Sequence, residues 1–196
     1  MIKIKKVLIA SVILLSILTL YMGFLVSETA NIYRTKLNEM AKNNLEILYY
    51  FDKFFNEIYS IGNLALELEE DVINENYEQA QSKCANINNK LTDAYDILFK
   101  VKEILNNSKS YTTDVKIIEA YDKYIICLDV AEKVLNKFEE YVETVCKISR
   151  HYSLGEYELV EEELEKYKEL VYEIDDISKT LKFCTREFNE IVEKLR

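Results

Sequence analysis

The chain has 196 residues, a net charge of −10, 49% apolar residues, three glycines and no proline. So acidic a surface repels nucleic acid and anionic headgroups, which excludes DNA or RNA as the expected partner. Strands need turns, and turns draw on Gly and Pro; a chain poor in both and rich in Leu, Ile, Lys and Glu is expected to be all-α.

Val7–Val26 contains no Asp, Glu, Lys, Arg, Asn or Gln, and lies between Lys3, Lys5 and Lys6 on one side and Glu28 on the other. As a helix this segment spans about 30 Å, the hydrocarbon thickness of a bilayer. A cleaved signal peptide has a shorter apolar core, about 7–15 residues, and a small-x-small site. Neither Ser27, with Leu25 before it, nor Ala30, with Glu28 before it, supplies that site. A single uncleaved N-terminal transmembrane helix at 7–26 is therefore expected, with the bilayer as its partner. The three lysines keep residues 1–6 in the cytoplasm and send residues 27–196 outside, as a single-pass cell-membrane protein. Thr19 and Gly23 form a small-xxx-small pair suited to self-association into a homo-oligomer. The first 26 residues carry +3, which leaves −13 on the outer domain.

Beyond the anchor, apolar residues recur at alternating +3 and +4 steps, the heptad signature. The first frame runs from Tyr33 through Leu37, Ile47, Phe51, Phe54 and Ile61 to Val72, with Asn44 its polar member. Val26 and Ala30 extend this frame back into the membrane helix, so anchor and first helix are expected to be one rod. Asn74 and Asn76 end it, and Asn76 with Gln79 has a capping-box pattern. The second frame is apolar throughout, from Tyr77 through Cys84, Leu91 and Leu98 to Leu105. Asn106–Thr113 is polar and of low helix propensity, and is expected to be a loop. The third frame runs from Ile117 through Tyr124, Leu135 and Phe138 to Val145, with Arg150 and His151 in its last turn, where positive charge suits the helix dipole. Ser153 and Glu156 give a second capping-box pair before a fourth frame, from Tyr157 through Val160, Leu164, Tyr167 and Leu181 to Leu195. Apolar residues beside the frames, such as Leu66, Ile104, Ile148 and Leu170, widen each stripe beyond that of a two-stranded coiled coil. The expected fold is a long, coiled-coil-like, antiparallel up-down-up-down four-helix bundle at 27–196. Asn74 and Ser153 then lie at its distal tip, and the Asn106–Thr113 loop and Arg196 lie towards the membrane.

Asn76-Tyr77-Glu78 and Glu156-Tyr157-Glu158 open the second and fourth helices, eighty positions apart. Either a duplicated hairpin or two hairpins of similar length accounts for this. The helix openings resemble tetratricopeptide units, but the helices are far too long for a 34-residue repeat.

No motif calls for chemistry. Di-iron bundles use Glu-x-x-His on two helices; the chain has one histidine, His151, and Ile148 stands three residues before it. No Cys-x-x-Cys-His attaches a haem, and no Gly-x-Ser-x-Gly or phosphate-cradling glycine loop is present. Glu67, Glu69, Glu70, Asp71 and the acids from Glu156 to Glu165 read as a solvated acidic tip rather than a cation site, since calcium-loop spacing is missing. Catalytic, cofactor-binding and metal-ligating residues are thus expected to be none, and the protein is expected not to be an enzyme. In the aromatic cluster, Phe51 and Phe54 are expected in the core, and Tyr49, Tyr50 and Tyr59 beneath a neighbouring helix or on a partner surface. Asn106-Asn107-Ser108 is a glycosylation sequon.

Cys127 and Cys184 are nearly equidistant from the turn between the third and fourth helices, so a disulfide can join them. The other reading makes all four cysteines small apolar fillers. Cys146 falls opposite residue 163, far from Cys84, so these two are expected to be thiols.

The expected role is a non-catalytic protein-interaction or scaffold module outside the membrane, with a protein partner the sequence does not identify. The alternative is a ligand-sensing domain. The layout resembles the extracytoplasmic four-helix bundles of chemoreceptors and sensor kinases, in which a membrane helix continues into the first bundle helix. Those receptors return through the membrane, and no second span precedes Arg196 here, so sensing would require a separate membrane signalling partner.

Overall fold

A computed structural model describes residues 38–193. The anchor at 7–26, its cytoplasmic tail, Leu195 and the side chains of Asn44, Phe51, Phe55, Thr185 and Val192 lie outside the described residues. Within them the chain is four helices and no strand: α1 (Asn38–Ile73), α2 (Tyr77–Lys109), α3 (Val115–Leu154) and α4 (Tyr157–Glu193). Each is about 50–60 Å long, and none is long and apolar enough to cross a membrane.

The α2–α3 connection differs from expectation. Residues 106–109 are the last turn of α2, and the link is only residues 110–114. Low propensity is overridden by burial and hydrogen bonding. The Ser108 side chain is fully buried, donates to the Ile104 carbonyl at 2.8 Å and accepts from Asn43 Nδ2 at 3.1 Å. Lys109 pairs with Asp122 of α3. Asp114 caps α3, accepting from the Lys116 amide at 2.9 Å. Asn106 of the sequon is exposed on that last turn.

Neither expected capping box forms. The Asn76 side chain makes no cap bond. Ser153 belongs to α3 and donates to the Arg150 carbonyl at 2.7 Å, while Glu156 turns back to His151 Nδ1 at 2.6 Å. Both turns instead close as Schellman motifs, one at each hairpin tip. The amides of Glu75 and Asn76 return to Val72 and Asp71, and those of Gly155 and Glu156 to Tyr152 and His151. The closing residues, Glu75 at φ 61° and Gly155 at φ 72°, are eighty positions apart, the same offset as the two helix openings. Gly155 takes the left-handed conformation without penalty, whereas Glu75 carries a Cβ into it. Glu75→Gly is therefore expected to raise the chemical denaturation midpoint, by about 1 kcal/mol of stability; an unchanged or lower midpoint would contradict this.

The helices run up-down-up-down. The α1–α2, α2–α3 and α3–α4 pairs pack along their lengths, and α1 also touches α3. The fourth side of the square is open, because α1 and α4 form no extended contact among the described residues. Burial follows from this arrangement. Every frame residue of α3 is buried, and so is every frame residue of α2 from Ala80 to Leu105. In α4 Leu164, Tyr167 and Val171 are only half-buried, and Tyr157 is exposed, which corrects its expected core position. Of the α1 tyrosines expected beneath a neighbour or on a partner surface, Tyr49 and Tyr59 are exposed, with no described helix over them, and Tyr50 is half-buried.

Tyr121 and Tyr124 of α3 are buried in the core. Burial pushes the Tyr121 phenol up to about 12, above its ordinary value of 10, and holds Tyr124 well above that ordinary value too. A raised native pKa means the folded state holds its proton while the unfolded chain has lost it. The contribution is complete below pH 10 and fades as pH rises towards 12, about 2–3 kcal/mol for Tyr121. Alkaline unfolding is expected within that window, and Tyr121→Phe should move its midpoint upward when followed by circular dichroism.

All four cysteines are paired. Cys127–Cys184 links α3 to α4 with Cα atoms 5.7 Å apart, as the register about Gly155 allows. Cys84–Cys146 links α2 to α3 at 6.1 Å, which corrects the expectation of thiols there. Cys146 was weighed against α4 alone, but its partner lies on α2. A loop at 106–113 would also have set Cys84 opposite Asn136, roughly ten residues or 15 Å from Cys146. The extra turn of α2 narrows that offset. Two disulfides point to an oxidising, extracytoplasmic environment for the helical domain.

Candidate functional site

The open side of the bundle becomes a groove of about 480 Å³ at the end carrying both Schellman turns. Its floor is Val145 and Ile148 of α3, both buried. One wall is the end of α1, with Glu69, Val72 and Ile73; the other is α4, with Leu164, Tyr167 and Lys168. Tyr77 and Tyr152 close the tip, their rings stacked 6.2 Å apart, and Tyr157 meets Tyr152 edge-on.

Glu69 is the polar centre of the groove. One carboxylate oxygen, Oε1, accepts hydrogen bonds from the hydroxyls of both Tyr141 and Tyr167, the latter at 3.0 Å. The two rings pack at 5.3 Å, so α1, α3 and α4 converge on a single oxygen. Burial, and then the Glu69 charge, hold both phenols above their ordinary range. They therefore remain donors throughout the physiological range. Among the described residues the other oxygen of Glu69 has no hydrogen-bond partner, and no cation pairs with it. Lys168, the basic residue of the lining, directs its ammonium to Glu165 at 2.6 Å.

The remaining acids of the tip disperse. Glu67 and Asp71 both pair with Lys83 of α2, at 3.4 and 2.5 Å. Glu156 pairs with His151. His151 thus sits in the last turn of α3, as expected, and secures the α3–α4 turn. Among the described residues no three His, Cys, Asp or Glu side chains are grouped to hold a metal ion.

Sequence reasoning placed Tyr77 and Tyr167 in core frames and Glu69 on an acidic surface, without bringing them together. Tyrosines stand at frame positions in the second (Tyr77), third (Tyr121, Tyr124) and fourth (Tyr157, Tyr167) helices alike, so frame position alone does not mark those at the groove. Phenols suit a boundary that is apolar on one side and hydrogen-bonded on the other.

Fold and groove define a disulfide-braced, antiparallel helical bundle with one side open. No protein-family model, curated protein or solved structure matches the chain.

Proposed function

We propose that the protein is a non-catalytic interaction module, held outside the cell membrane by a helix at 7–26, which engages a protein partner through the groove at its distal tip. The groove between α1 and α4 carries this reading: there, among the described residues, the bundle leaves an apolar wall uncovered by its own helices. The groove lies at the C-terminal end of α1, so an anchor at 7–26 would leave it far from the membrane, where a partner has access. Its lining is mostly aliphatic and aromatic around one carboxylate, chemistry suited to burying the apolar face of a partner. The groove also lies within the usual volume range of small-ligand sites, which favours ligand sensing with a membrane partner as the second reading.

The test uses the full-length protein in native membranes. A photo-reactive residue at Ile73, in the groove, should cross-link to a partner, whereas one at exposed Phe99 on α2 should not. A reporter fused after Arg196 should be active only outside. Equal cross-linking at both positions, or an interior reporter, would overturn the proposal.

A further inference from the structure

We infer that the groove receives a basic amphipathic helix of the partner, with one Lys or Arg set over Glu69 and apolar side chains against Ile73, Ile148 and Leu164. The inference rests on the groove being the binding surface and adds the chemistry of its occupant.

Shape comes first. Two antiparallel helices with a third as floor make the trough into which an amphipathic helix lays its apolar face. The trough exists because α4 packs on α3 without closing against α1. The walls are aliphatic at Val72, Ile73 and Leu164, so an incoming apolar face removes both surfaces from water.

Charge selects among apolar helices. A covering helix would take Glu69 out of water. Its Oε1 is supplied by two neutral phenols, and among the described residues its Oε2 meets no partner. Covering an uncompensated carboxylate is costly, and an occupant that brings a cation to it avoids that cost. Lys and Arg fit the site, since their stems lie along apolar surface while the head reaches the carboxylate. Tyr167, beside Glu69, offers a ring to such a stem. Glu75 lines the same groove, and exposed Glu67, Glu158, Glu161 and Glu162 belong to the same tip, so the approaching face meets a negative field.

The test is methyl NMR on full-length protein in phosphatidylcholine nanodiscs, labelled at isoleucine. Three probes are used: a helical Leu/Lys peptide roughly four turns long, the same peptide with Gln for Lys, and phenylpropylammonium. The Lys peptide is expected to shift the Ile73 and Ile148 methyls saturably, and the Gln peptide to bind at least about tenfold more weakly. Glu69→Gln, which can still accept from both tyrosines, should weaken the Lys peptide by about tenfold, and Glu162→Gln, at an exposed acid of the same tip, by less than about twofold. Equal losses in the two variants would mean attraction to an acidic tip alone and would overturn the inference. So would Glu69-dependent binding of phenylpropylammonium that the Lys peptide cannot displace, which would make the occupant a small organic cation. If the Gln peptide binds as tightly as the Lys peptide, the charge selection fails and the groove reading stands. If no probe moves either methyl, the inference fails, and the Ile73 cross-linking result decides separately whether the groove reading falls with it.

Discussion

Leu135→Asp should leave residues 27–196 without a cooperative unfolding transition. Leu135 lies midway along α3, the helix that packs against all three others, and it is 2% exposed. The substitution removes a buried leucine, about 2–3 kcal/mol by transfer. It also brings a carboxylate where no cation waits, at a cost of several kcal/mol more. Domains of this size are stable by about 5–15 kcal/mol, so one residue consumes most of the margin. Helical ellipticity that is weak and melts without a sigmoid is the expected result. A variant as stable as the parent would contradict the bundle. Lys133→Ala, an exposed neighbour on the same helix, is the control and should change little.

The disulfides carry the second large effect. Cys84–Cys146 and Cys127–Cys184 close segments with sequence separations of 62 and 57. In the chain-entropy description each restricts the unfolded chain by about 4 kcal/mol. They are arranged in series: one ties α2 to α3, the other ties α3 to α4, and α1 is held to the others without a disulfide, by packing, hydrogen bonds and ion pairs. Denatured protein from oxidised membranes should titrate no free thiol before reduction and four after it. Replacing either pair by serine should lower the guanidinium midpoint markedly, and replacing both should leave a domain near the edge of stability. Four thiols without reductant would remove this account and the inference of an oxidising environment along with it.

Helix number, order and inward faces were legible because a helix announces its buried stripe at every turn. Ala80, Leu91, Leu98 and Val101, all on one frame, are all buried. The α3–α4 register was legible too, since a short turn about Gly155 leaves two antiparallel helices little freedom to slide; hence the placing of Cys127 against Cys184. The α2–α3 register was not, because Ser108 reads as a helix breaker until Asn43, sixty-five residues away, hydrogen-bonds to it. Glu75 gave no sign of a left-handed turn, as Gly155 did, because a side chain normally argues against that conformation.

The sequence by itself determined an acidic, all-α chain whose four amphipathic helices must share a core, and the ends at which two of its turns meet. Heptad spacing is a local property, written within each helix and independent of its neighbours. Tertiary structure alone decided that the square of helices has three packed sides and one open one, and that Glu69, Tyr141 and Tyr167 meet on the open side. A stripe specifies that a face is covered, not which helix covers it or how completely. That choice depends on how side chains from three helices fill one space, and no single segment of the chain contains it.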